Sequence, residues 1–228
     1  MGEDTLDRIA ENPGEPFATV RPRVKGWLHA AMFPVALVAG IGLVATAPST
    51  EARVVSAVFS ATAVLLFGTS ALLHLGRWSP GVESVIRRID HSNIYLIIAG
   101  TYTPFAVLAL PSDQGRLLLL IVWIGALAGV VFRVFWLSAP RWLTTGLYVL
   151  VGWVAVFFLP GLVDGAGVPA VVLIILGGVL YTLGALVYAT KRPNPSPQWF
   201  GFHEVFHAFT VAAFISHYFA VWIVVHMV

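Results

Sequence analysis

The chain has no cysteine. Disulfides and thiolate metal sites are therefore excluded, and any metal must be held by His, Asp, Glu or backbone oxygen. Charge is also scarce: 11% of the residues are Asp, Glu, Lys or Arg, where a soluble domain carries roughly a quarter. The sequence pI is near 9.2, but the basic residues are scattered and form no stripe of the kind nucleic acid requires, so nucleic acid is not an expected partner. The stretch before Trp27 is polar and holds no apolar segment. A cleavable leader is not expected, and the first hydrophobic segment should stay in the mature protein.

What fills the chain instead is apolar. Of 228 residues, 58% are hydrophobic, and the mean hydropathy is +0.87. Lipid accounts for this, because side chains facing acyl tails need no polar cover. A bilayer core takes about 20 apolar helical residues. Seven stretches qualify, at roughly 27–47, 54–76, 89–110, 115–137, 143–163, 168–190 and 203–227. Turn chemistry separates them, as at Pro48-Ser49, Ser79-Pro80-Gly81, Pro111-Ser112-Asp113, Ala139-Pro140, Asp164-Gly165 and Pro193-Asn194-Pro195. The expectation is an all-α membrane protein: a seven-transmembrane helix bundle over residues 27–228, preceded by a polar cytoplasmic tail at 1–26. Pro34 and Pro104 should kink the first and third spans. No discontinuous pair of helices of the transporter kind is expected.

The charges give the direction. With the N-terminus inside, the inner segments hold Arg8, Arg21, Arg23, Lys25, Arg77, Arg87, Arg88, Arg133, Arg141, Lys191 and Arg192, and the outer ones only Arg53 and Arg116. That is the positive-inside pattern, with the C-terminus outside. Arg133, near the inner end of the fourth span, should snorkel to the interface. Trp27, Trp142, Trp199 and Trp222 read as interfacial belt residues.

Ionisable groups within spans are costly and mark function. His74 near the inner end of the second span, Asp90 at the inner start of the third, and His203 and His207 in the first turns of the seventh all fall at one depth. His203 and His207 are i and i+4, so both imidazoles share one helix face and can chelate a single ion. Ser70 stands one turn from His74 on the same face. Three imidazoles with an open fourth position are the pattern of catalytic zinc. Asp90 would then be a carboxylate orienting that site, or the base for water. His203-Glu204-Val205-Phe206-His207 also spells the HExxH of zincins, with Glu204 as base. His217 stands about 21 Å farther along the helix axis than His203, too far to serve the same ion. It reads as an interhelical hydrogen bond and His226 as an outer-boundary residue; His29, at the inner start of the first span, is within reach of the site but reads more readily as an interfacial cap. His91 should point about 100° away from Asp90 around the helix.

Three segments carry a family resemblance: Ser70-Ala-Leu-Leu-His74, the run from Asp90-His-Ser-Asn to Thr103-Pro104-Phe105, and His203-Glu-Val-Phe-His207. In this order they resemble the signature segments of the hemolysin III family, which groups with the progestin and adipoQ receptors. The likeness extends over the chain from about Trp27. It implies a seven-helix bundle in a bacterial plasma membrane, with zinc on His74, His203 and His207, Asp90 near the ion and Ser70 one turn from the first ligand. Glu204 lies outside the shared pattern. The wider group includes alkaline ceramidases, so the resemblance implies a zinc-dependent hydrolase of a lipid amide, ceramide-like, within the bilayer. The rival is a receptor or channel-like haemolysin with a structural zinc.

The orientation is open to direct test. In intact cells, Pro80→Cys and Asn194→Cys should stay shielded from an impermeant thiol reagent, while Asp113→Cys and Asp164→Cys should react. The reverse pattern would invert the protein in the membrane.

Overall fold

A computed structural model describes residues 26–227, all helical apart from turns and short connections. The expected polar tail lies outside the described residues, save for Gly26. The helices are α1 (Trp27–Thr46), α2 (Thr50–Leu75), α3 (Pro80–Leu108), α4 (Ser112–Phe135), α5 (Arg141–Gly152), α6 (Leu159–Thr190) and α7 (Phe202–Met227). Their starts follow from local chemistry. Ser49 Oγ accepts the Ala52 N–H at 3.1 Å and caps α2. Ser79 and Pro80 open α3, and Pro111 and Pro140 sit at the caps of α4 and α5. At α7, Gly201 is the cap, and Glu204 Oε2 reaches back to its N–H at 2.9 Å, the carboxylate half of a capping box.

Among the described residues, five segments are long and apolar enough to cross a membrane: Trp27–Thr46, Thr50–Leu75, Ser112–Phe135, Arg141–Thr190 and Phe202–Met227. The protein is a multi-pass membrane protein. Its outer surface is a jacket of Val38, Ile41, Leu120, Ile124, Leu127 and Leu186, side chains that only acyl tails would cover well. Trp27, Trp142, Trp199 and Trp222 are exposed, as belt residues should be. α3 is the exception in composition because it is central. It packs against α2, α4, α5, α6 and α7, and buries Asp90, Ser92, Asn93, Tyr95, Thr101, Tyr102 and Thr103. Gly129 of α4 lies directly under the Tyr95 ring, where a Cβ would have no room. Pro34 and Pro104 lie inside helices that continue past them.

The stretch Arg141–Thr190 is not one rod. Trp153 Nε1 donates to Thr182 Oγ1 at 2.9 Å, and the Arg141 guanidinium lies 5.3 Å from the Tyr188 ring. The stretch therefore folds back on itself. The reversal is at Gly167, with φ 78° and ψ 160°, a backbone region open essentially to glycine alone. The sequence suggested Asp164-Gly165 for this break; Gly165 instead packs against the Ala109 carbonyl, inside the helix.

A second departure lies in the expected span 143–163, which is discontinuous. α5 has 12 residues, a rise of only about 18 Å, short of the roughly 30 Å hydrocarbon core. A 3-10 turn, Val154–Phe158, follows. A broken helix within lipid needs partners for its freed backbone groups, and Tyr102 supplies them. Its hydroxyl donates to the Gly152 carbonyl at 2.5 Å and accepts the Ala155 N–H at 2.9 Å.

Tyr102→Phe strands both backbone groups and should cost ~1–3 kcal/mol, read as a lower melting temperature in detergent. Tyr181→Phe removes a buried hydroxyl without a hydrogen-bond partner and should change it little. Equal effects would mean that the hydroxyl bridge does not hold the break.

Candidate metal centre

Three histidines from two helices converge. Ligand atoms of His74, on α2, and of His203 and His207, on α7, all lie within 4.8 Å of one another. The ring centroids are 4.4 Å apart for His203 and His207, 4.8 Å for His74 and His203, and 5.4 Å for His74 and His207. The i, i+4 spacing on α7 aligns the second pair, as expected from the sequence. The His203 and His74 Nε2 atoms face each other at 3.1 Å. Two nitrogens held by one tetrahedral ion at bond lengths of 2.0–2.1 Å would stand roughly 3.3 Å apart, so the trio fits such an ion and could hold a metal. Gly26, at φ 84°, lies against the His74 Cβ, where any side chain would collide.

The surrounding residues correct several expectations. His29 is no interfacial cap. It is buried, stacks on His207 with ring centroids 3.7 Å apart, and pairs its Nδ1 with Ser70 Oγ at 2.7 Å. Its depth at the inner start of α1 was the one signal for this placement, and capping explained that depth equally well. Ser70 is thus tied to His29 beside the trio. His91 does not turn away from Asp90: its Nδ1 lies 3.3 Å from Asp90 Oδ2 and 2.9 Å from the Arg87 carbonyl. A carbonyl only accepts, so Nδ1 carries the proton there. Glu204, the base of the zincin reading, caps its own helix. Arg133 is buried and faces inward; it does not snorkel. His217 makes the expected interhelical bond, Nε2 to the Ile174 carbonyl at 3.1 Å, and His226 meets Thr46 Oγ1 at 3.0 Å at the far end of α1.

Apart from His226 and Thr46, these residues line one cavity of about 1460 Å³ between α2, α3, α5, α6 and α7. His29, Ser70, His74, Asp90, His203 and His207 form part of its wall. Arg87, Arg88, Arg141 and Lys191 surround the same end, while Ile97, Ile98, Phe105 and Ile174 make the wall farther along α3 and α6 apolar. Such a space suits an amphiphile with its polar end near the histidines.

Comparison with known proteins settles the lineage. A family model described as haemolysin-III related matches residues 17–218. The chain belongs to the haemolysin-III related family. It is 34% identical over 167 residues to the hemolysin-3 homolog of Bacillus subtilis (strain 168), covering 72% of this chain and 74% of that protein. Hemolysin-3 of Bacillus cereus is 31% identical over 171 residues, 75% of each chain. A more distant similarity, 27% over 188 residues, links it to progestin and adipoQ receptor-like protein 1 of Caenorhabditis elegans, covering 75% of this chain and 43% of that one. This haemolysin-III protein is accordingly a multi-pass integral membrane protein with bacterial relatives.

The trio makes a clear prediction. His74→Ala, His203→Ala and His207→Ala should each lower bound metal well below about one equivalent per chain and lower the melting temperature, because the ion would crosslink α2 to α7. His217→Ala and His226→Ala should keep the metal. Elemental analysis of purified variants decides it, and wild type free of any transition metal after gentle extraction would refute the site.

Proposed function

We propose that the protein is a zinc-dependent hydrolase of a lipid amide of the ceramide type, arranged as seven passes with a cytoplasmic N-terminus. The observation carrying this reading is that the three imidazoles, Asp90 and Ser70 share the wall of one large, part-apolar cavity. Donor set and spacing suit a borderline divalent ion, of which zinc is the common case. When bound, such an ion supplies Lewis acidity towards a carbonyl and towards water.

The chain's own groups would do the rest. The apolar wall would place the acyl chain so that the amide carbonyl sits beside the histidines. Asp90 accepts the proton of the attacking water, its Oδ2 steadied by His91 Nδ1–H. With the proton of His29 on Nδ1, that ring donates to Ser70 Oγ and frees the Ser70 O–H to donate to the developing oxyanion. The C–N bond then breaks, the proton held on Asp90 passes to the leaving amine, and a fatty acid and an amine are released.

A second reading, a receptor or channel-like protein with a structural zinc, draws support from His29. A fourth imidazole stacked on His207 stands where a closed, all-protein site could form. The names of the relatives, hemolysin and receptor-like, point the same way.

Fatty-acid release from a panel of ceramides and N-acyl amines separates them. Under the hydrolase reading, Asp90→Asn retains the metal and loses about a hundredfold or more in rate, and Ser70→Ala loses up to about a thousandfold. Turnover indifferent to both Asp90→Asn and chelation would end this mechanism.

A further inference from the structure

Two guanidinium groups remain without a counter-charge. Arg133, near the end of α4, is only 4% exposed, and its Nε has no hydrogen-bond partner. Arg141, in the first turn of α5, is half-buried, and its NH1 is likewise buried without one. Among the described residues neither makes an ion pair, and the carboxylates that share their cavity are engaged elsewhere. Glu83 pairs with Arg87, Asp90 meets His91, and Glu204 caps α7. An uncompensated buried cation is costly even after relaxation. Polar charge of this kind inside a membrane bundle marks a ligand path.

The two groups line the same cavity. Arg141 lies against the Tyr188 and Phe202 rings, with its guanidinium carbon 5.3 and 5.8 Å from their centroids, and aromatic contacts of this kind hold a guanidinium in place. Arg133 lies on the wall of the same cavity as Tyr188 and Tyr148. Tyr188 in turn stands 6.1 Å, centroid to centroid, from His203. A bound group here would be one aromatic ring away from the histidines, in the same cavity.

We propose that Arg133 and Arg141 together bind an oxyanion, phosphate monoester or carboxylate, carried on an acyl chain that occupies the cavity. This narrows the substrate from a neutral ceramide to an N-acyl lipid with an anionic head. It rests on the hydrolase reading only for the word substrate; binding itself does not require turnover. The guanidinium fork matches both oxyanions, and a charge-assisted pair of hydrogen bonds is stronger than a neutral one.

The test is binding to the full-length, metal-loaded protein in detergent, with N-dodecanoylethanolamine and its phosphate monoester as probes. The phosphate ester should bind at least about tenfold more tightly, and Arg133→Gln and Arg141→Gln should each remove most of that advantage, while Arg133→Lys keeps part of it. The preference should persist after chelation, which separates it from phosphate seated on the metal and from any failure of the hydrolase reading. Arg133→Gln should also raise the melting temperature of the ligand-free protein, because it removes a buried, unpaired charge. If that variant does not fold, Arg141→Gln, at the more accessible position, carries the test. Equal affinity for the two probes, or a preference that survives both substitutions, would overturn the proposal. Inorganic phosphate competing at the same concentrations as the ester would overturn the acyl-chain part.

Discussion

Everything in this bundle follows from the rule that polar groups inside a membrane must be satisfied by the protein itself. The rule sorts the residues. The exposed side chains are mostly Val, Ile, Leu and aromatic, whereas the polar ones turn inward along α3, α7 and the inner ends of α1 and α2. It also explains the irregular backbone. The chain breaks between α5 and α6 only because Tyr102 takes up both freed backbone groups. Where satisfaction is incomplete, Ser56 Oγ, Ser92 Oγ and Tyr95 Oη lie away from the cavity, but other exceptions share it. His29 Nε2, Arg133 Nε, Arg141 NH1, Tyr181 Oη and His217 Nδ1 all belong to residues lining the same cavity.

The sequence was most informative where periodicity and topology agreed. Span lengths and turn residues placed several helix ends within a few residues, although α3 starts at Pro80 where the span was expected from 89, and depth alone grouped His74 with His203 and His207, which the structure brings within ligand range of one another. What it did not reveal was direction around a helix. His29 and His91 sat at suitable depths, but no i, i+4 partner said which way they face. Arg133 was read by the general habit of arginines near span ends, which a cavity on the bundle side overrides. The break after Gly152 left no mark in composition, because its repair comes from Tyr102, some fifty residues earlier in the chain. Gly167 was one of several glycines near the expected turn, and only the backbone angles distinguish it.

The histidine trio connects fold to function. α2 and α7 are far apart in sequence; they pack through Phe59, Phe67 and Phe214 and bring their histidine ligand atoms together at the trio, so an ion there would tie the two helices together. His29 is what makes the outcome informative: it lies against His207, and its role separates an open centre from a closed one. Zinc K-edge X-ray absorption on the zinc-loaded, purified protein reads this directly. The account predicts a first shell of three imidazole nitrogens at about 2.0–2.1 Å and a fourth position filled by no protein side chain. A shell of four imidazoles would contradict the catalytic reading, and a shell of carboxylate oxygens alone would contradict the site.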